Sequence, residues 1–398
     1  MSDRIFVITE HGVRENCKEL QTKEIQAVLD MCKEEGGTVV FPKGEFYAAS
    51  LRIWSDMTLL FKSGSRLYGS EECDDYEVYE APEGVELRTD MEMIEQYYIS
   101  HGKDPKNWHT YRRAMISGYG IKNIRILGEE DSIIDGRNCY DPDGEESYRG
   151  PHGIFLTNCE NVELRGYTIQ HNGNFMHQLD VCTNVLFKNV QCYGGSDATH
   201  LHYCKNVLIE DCVFHTGDDC IAGINIRDLV IRNTEINTSC NVSRIGGVNI
   251  LFDKCRMYGP GDYPHRITIV KSKTECLPIT EGRHNMIAVM EYFASTNYPD
   301  TEPSRNIVFR DCVIENFEFI LGYCADCGST LQSGCYLKEL VFENTKLLNM
   351  NRASHIKANK DVPLEIRFKN VEYTFREGAQ EAKLFGDDCV NVNFVEEA

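Results

Sequence analysis

Asn184-Val185-Leu186-Phe187, Asn206-Val207-Leu208-Ile209 and Asp228-Leu229-Val230-Ile231 stand 22 residues apart, each with one polar turn-former ahead of three apolar residues. The unit recurs at Asn161-Val162-Glu163-Leu164 and Asn249-Ile250-Leu251-Phe252, and further out at Asn123-Ile124-Arg125-Ile126 and Asn306-Ile307-Val308-Phe309. Short apolar runs bounded by turn residues read as strands. A period near 22 with room for several such strands fits one turn of a parallel β-helix, whose inward side chains stack from coil to coil. Leucine-rich repeats share the length, but their Leu-x-x-Leu-x-Leu pattern and helical segment are missing. An antiparallel sandwich would not keep so regular a phase.

The cysteines fit the same frame. Cys159, Cys182 and Cys204 each stand two residues before a repeat Asn, and Cys192 and Cys212 occupy a later common phase. Small apolar side chains at one repeat position suit an internal ladder. Eighteen cysteines in a chain of 398 residues without an evident export signal read as reduced core thiols. Only Cys324-x-x-Cys327, with Cys335 behind it, has zinc-like spacing. It lacks a clear fourth ligand, so buried thiols are the default there.

The whole chain, 1–398, reads as a single domain, with about 1–45 forming an N-terminal cap and first strands. Ile25, Val28, Leu29 and Cys32 follow helical spacing, Thr22 is placed to cap the start, and Gly36-Gly37 stops it. Such a helix would cover the open end of a solenoid. Two segments fit the repeat badly, about 82–115 and 272–304, and are expected as insertions near a binding face.

The balance of 62 acidic against 41 basic residues gives a net charge of −21. A field of that sign disfavours nucleic acid and anionic membrane as partners, while leaving room for a local basic cleft. No run approaches the roughly 18 apolar residues of a membrane span. The first ten residues hold no apolar stretch suited to a signal peptide, so the expected location is cytoplasmic. Oligomeric state is not legible.

Thr216-Gly217-Asp218-Asp219-Cys220-Ile221-Ala222, with Asp197 twenty-one residues earlier, is the stretch that carries chemistry. Adjacent carboxylates in a strand-like run are costly, because Asp is rarely buried unpaired and like charges raise one another's pKa. Glycoside hydrolysis needs such a cluster, one carboxyl to protonate the leaving oxygen and another to activate water. The bland alternative is that both aspartates cap turns between coils. A 21-residue offset places Asp197 on a neighbouring coil beside them.

On these motifs the chain resembles family 28 glycoside hydrolases, the polygalacturonase and rhamnogalacturonase group, from the N-terminal cap to about residue 315. The resemblance rests on Gly36-Gly37-Thr38-Val39-Val40-Phe41-Pro42-Lys43-Gly44, Ile134-Asp135-Gly136, Arg149-Gly150-Pro151-His152 and above all Gly217-Asp218-Asp219-Cys220. It implies a right-handed parallel β-helix, an inverting mechanism and no metal or organic cofactor. It further implies Asp218 as general acid, with Asp197 and Asp219 orienting and deprotonating water across roughly 6.5–9.5 Å. The chain departs from the family's pattern at Gly195-Ser196-Asp197, where an asparagine is lost, and at Asn241, which takes the place of a histidine. It departs again at Ile269-Val270-Lys271, where the lysine stays and an arginine is lost. Candidate compensations for substrate binding are Arg244, Arg266, His200, His202 and Gln178, with Asn241 and Lys271. The two histidines would share the outer face if Thr199, Leu201 and Tyr203 point inward.

The expected function is therefore an inverting glycoside hydrolase that trims imported oligosaccharides containing uronate or rhamnose from one end. The alternatives are a β-helix lyase or epimerase, or a non-catalytic carbohydrate-binding protein. A lyase would release an unsaturated, ultraviolet-absorbing product. A pure binder has no use for three clustered carboxylates.

Overall fold

The computed structural model describes residues 4–78, 111–144, 148–266, 285–294, 302–325, 327, 332 and 335–397. Contacts within the chain gather into two compact units, Met1–Ser196 and Asp197–Ala398. Each is built from coils of parallel strands, the right-handed parallel β-helix expected, since strand-to-parallel-strand crossovers are right-handed in nearly every case.

In the first unit Gly37–Phe41 pairs with Ile5–Val7 on one side and Met57–Phe61 on the other. The ladder continues through Lys122–Gly128, Glu160–Arg165 and Thr183–Lys188. A second ladder runs through Leu51–Arg52, Ala114–Tyr119, His152–Thr157 and His177–Asp180. A third links Gly44–Tyr47, Ser65–Tyr68, Ile133–Asp135, Thr168–Gln170 and Gln191–Gly194.

The N-terminal helix spans Thr22–Asp30 and buries Ile25, Val28 and Leu29. Thr22 does not cap it. The cap position is Gln21, and the Thr22 hydroxyl instead accepts the Ala49 backbone N–H at 2.9 Å, tying the helix to a strand loop. Gln26 extends that tie by bonding both the N–H and the C=O of Arg52. None of the described helices is long and apolar enough to cross a membrane.

The second unit repeats the plan. Lys205–Glu210 pairs with the latter half of the long strand Ile221–Arg232, whose first half pairs with Thr199–His202. Ser243–Asp253 follows both halves, and then Met286–Tyr292 and Phe317–Gly322 extend one ladder. Arg305–Arg310, Glu339–Glu343, Leu364–Lys369 and Val392–Glu397 extend the other. The expected insertion at 272–304 thus contains a regular strand, as the one at 82–115 contains the start of Ala114–Tyr119. Residues 82–110, 272–284 and 295–301 of these insertions, and the candidate Lys271 just ahead of the second, lie outside the described residues.

The repeat asparagines explain the phase. Asn123, Asn161, Asn184, Asn206, Asp228, Asn249 and Asn306 all adopt left-handed backbone, with φ between 53° and 60°. Asn and Asp tolerate that conformation best among residues with a Cβ. Their side chains bond along the axis: Asn161 to Asn123 at 2.9 Å, Asn184 to Asn161 at 3.0 Å, Asn249 to Asp228 at 2.8 Å and Asn306 to Asn249 at 2.9 Å. Inside, Phe252, Phe309, Phe342 and Phe368 stack in near-parallel sequence with centroids 4.4 to 5.5 Å apart.

The cysteine expectation holds in part. Cys159, Cys182 and Cys204 are buried free thiols. Cys192 and Cys212 do not share a phase. Cys192 is within a strand, level with Ile169, whereas Cys212 precedes Val213–Thr216, the position Cys255 and Cys312 hold before their own strands. Cys324 and Cys327 are neither buried nor thiols: they are half-buried and exposed, and joined as a disulfide, which removes the two closest ligands from the zinc reading. Cys335 is a buried thiol.

Asn249→Ala should cost roughly 1–2 kcal/mol through the left-handed backbone alone, plus its two ladder bonds. Asn249→Gly should recover the backbone share. Urea unfolding of the three proteins checks the order wild type, Gly, Ala.

Candidate active site

The second unit brings the three aspartates together. Thr199 pairs with Ile221 and Ile221 with Ser243, so Asp197, Asp219 and Asn241 occupy equivalent places two residues ahead of successive strands. The register is 22 residues, and Asp197 therefore stacks on Asp219 while Asp218 sits one residue back in the turn. That turn is fixed by two hydroxyls, Thr216 and Thr238, which donate to the Asp218 carbonyl at 2.6 and 2.7 Å. The Asp218 side chain is left to face the site. Asp197, Asp218 and Asp219 are 3%, 7% and 3% exposed. Carboxylates so buried need partners.

Each has one. The Asn241 amide nitrogen donates to Asp219 Oδ1 at 2.7 Å, and its oxygen accepts the Ala288 N–H at 3.1 Å, so the amide cannot turn without losing a bond. Arg266 Nη1 reaches Asp197 Oδ1 at 3.3 Å and also contacts Asp218 Oδ2. His265 Nε2 stands 3.2 Å from the same Asp218 oxygen, and His200 Nδ1 stands 3.1 Å from Asp197 Oδ2. One guanidinium nitrogen touches oxygens of both Asp197 and Asp218, and side-chain oxygens of Asp218 and Asp219 lie within 4.8 Å. The expected gap of roughly 6.5–9.5 Å refers to whole carboxyl groups, whereas these contacts join their nearest oxygens.

Several expected binding residues prove to be engaged. Arg266, 4% exposed, is committed to two carboxylates and is not free for a substrate anion. Gln178 belongs to the first unit, where it is fully buried; its oxygen accepts from the Tyr111 hydroxyl and its nitrogen donates to Asp180. His200 is half-buried and its ring meets His202 edge-on at 4.4 Å, so the two do share a face, but His202 is 3% exposed. Thr199 and Leu201 point inward, whereas Tyr203 is half-buried in left-handed backbone and not a core residue.

Arg244 differs from the rest. Its guanidinium lies 4.8 Å from the Phe293 ring centroid, its Nε is buried without a hydrogen bond, and among the described residues no carboxylate pairs with it. The surface salt bridge that would have explained it is not present there.

Sequence reasoning missed His265 and Glu291, while Phe293 lies in the 272–304 segment expected near a binding face. Glu291 stands in register with Arg244 and receives a hydrogen bond from Gln332 at 3.2 Å. Its signal was present: a lone carboxyl in the apolar run Met286-Ile287-Ala288-Val289-Met290-Glu291-Tyr292 is the same anomaly as Asp218-Asp219.

Among the described residues one group has metal-like spacing, Asp218, Asp219 and Cys240. It fits an ion poorly. Burial first, then the charge of Asp219, pushes the Cys240 thiol well above its ordinary pKa, and a protonated thiol is a weak ligand. Arg266 and His265 already crowd Asp218.

A family model described as glycosyl hydrolases family 28 matches residues 90–248, which contain all three aspartates, Asn241 and Arg244. Over that stretch the chain is similar to that family. The family 28 match ends well short of the residue 315 expected from motifs. Exo-poly-alpha-D-galacturonosidase of Dickeya chrysanthemi is 23% identical over 251 residues, 55% of this chain and 41% of that protein. The chain thus spans about two fifths of the length of that relative. The family 28 exopolygalacturonase of Yersinia enterocolitica superposes with a TM-score of 0.62 over 99% of this chain and 78% of its own, at 16% identity. Endo-xylogalacturonan hydrolase of Aspergillus tubingensis gives 0.64 over 99% of both chains, at 14%. Both structural likenesses establish the fold.

Arg266→Met should leave two buried carboxylates without a cation. A loss of about 3–5 kcal/mol is expected, read as a lowered urea midpoint, and Asp218→Asn in the same chain should restore part of it.

Proposed function

We propose that the chain is a glycoside hydrolase acting on oligosaccharides that contain uronic acid, with Asp218 as general acid and Asp197 and Asp219 as the pair that holds and deprotonates water. The observation that carries the reading is the convergence of three buried aspartates at the starts of neighbouring strands. Asn241 orients Asp219, and His200 holds Asp197.

In the reaction, Asp218 gives its proton to the glycosidic oxygen as the bond from that oxygen to the anomeric carbon breaks. Water attacks the same carbon, and its proton passes to Asp197 or Asp219. Arg244, stacked on Phe293 and lacking an anionic partner among the described residues, is suited to a sugar carboxylate. Trimming from a chain end is the favoured mode, supported by the exo-acting Dickeya relative. A cytoplasmic location, with small imported substrates, goes with that mode. Inversion is the expected stereochemistry from the family 28 likeness.

Asp218→Asn should lower kcat on oligogalacturonides by roughly 10²–10⁴-fold with an unchanged circular dichroism spectrum; activity within a few-fold of wild type would sink the assignment. Proton NMR of the first product anomer separates inversion from retention. Chromatography of the digest separates release of single terminal sugars from internal cleavage.

A further inference from the structure

One row of side chains crosses the second unit beside the aspartates. His200 pairs with Ala222, Ala222 with Arg244, Arg244 with Glu291 and Glu291 with Gly322. Registered residues on neighbouring strands are about 4.8 Å apart, so these five positions form one line along the outer face. Two of them are small. Ala222 opens space between His200 and Arg244. At Gly322 any Cβ would collide with the Glu291 carboxylate, so the glycine is what lets that carboxylate lie where it does. Gln332 fixes it there: its nitrogen donates both to Glu291 Oε1 at 3.2 Å and to the Tyr292 carbonyl at 2.9 Å, and its oxygen accepts the Cys324 N–H at 2.9 Å.

The row therefore holds a guanidinium and a carboxyl side by side, yet they form no ion pair within bonding distance. Arg244 lies over Phe293 and Glu291 leans the other way, toward Gly322. Burial pushes the Glu291 carboxyl up to about 7; the Arg244 charge acts downward, the Asp219 charge upward, and the Gln332 hydrogen bond downward. Among the described residues those are the charged and polar groups that face it, from the strand before, the preceding turn and the segment beyond. Gly322, on the strand after, offers no side chain.

We propose that Glu291 governs the affinity of the site for anionic sugars, by leaving Arg244 to a substrate carboxylate when protonated and competing for that guanidinium when ionised. The proposal rests on the hydrolase reading and adds a specificity-determining residue to it. The sign follows from linkage. A bound sugar carboxylate adds negative charge beside Glu291 and raises its proton affinity further, so anion binding takes up a proton. Affinity is then full below about 7 and falls as pH rises through that value. A neutral sugar adds no charge and shows no such slope.

The test measures KM for trigalacturonate from pH 5.5 to 8.5 in wild type and Glu291→Gln. The variant keeps the shape and the oxygen that accepts from Gln332 but cannot ionise. Wild-type KM should climb toward tenfold per pH unit above about 7, and the variant should bind at least about tenfold more tightly than wild type at pH 8.5. The change should appear in KM rather than in the pH profile of kcat, which histidines or the aspartates would move equally in both proteins. Equal KM slopes in the two proteins would overturn the proposal while leaving the hydrolase reading intact. If trigalacturonate is not hydrolysed at all, that reading fails separately. Calorimetry of galacturonic acid in buffers of different ionisation enthalpy then decides: proton uptake by wild type near pH 7 and none by the variant supports Glu291. No binding, equal uptake, or the same slope with methyl galactoside refutes it.

Discussion

Coil after coil among the described residues turns a corner on an Asn or Asp in left-handed backbone, a conformation that most side chains avoid. The left-handed backbone at Asn161, Asn249 and their equivalents costs about 1–2 kcal/mol for a typical residue. Asparagine relieves it, and the amides of Asn161 and Asn306 then bond those of Asn123 and Asn249 on neighbouring coils. The corner fixes where each strand begins, and strand starts fix the register. With a side-chain period of two, a slip of one residue would turn the core out to solvent. The phenylalanine stack inside and the aspartates outside both depend on this one constraint.

The site shows what register accomplishes. Asp197, Asp219 and Asn241 come from residues far apart in sequence, yet occupy one column because Thr199, Ile221 and Ser243 are paired. The column would be an electrostatic liability if all three members were acidic. Asn241 supplies a donor where a third carboxylate would repel, and Arg266 compensates the pair formed by Asp197 and Asp218.

Much of the architecture could be read from the chain because the repeat is local: an Asn, three apolar residues and a fixed period. The aspartates were legible for the opposite reason, as charges where charge is costly. Arg266 was misjudged because nothing in a sequence says whether a guanidinium faces a ligand or two buried carboxylates. Glu291 was overlooked because its meaning comes from Gly322 and Gln332, which lie 31 and 41 positions later and reach it only through folding. Thr22 was assigned a cap on residue type, but the loop carrying Ala49 claimed its hydroxyl first.

The amide column has one more consequence. Asn306 bonds Asn249 across 57 residues of chain as closely as Asn161 bonds Asn123 across 38 or Asn184 bonds Asn161 across 23. The solenoid thus measures distance by contact and is indifferent to how much chain intervenes. Segments differing by more than thirty residues are accommodated between two corners at nearly the same bond length, and the corners keep their pitch.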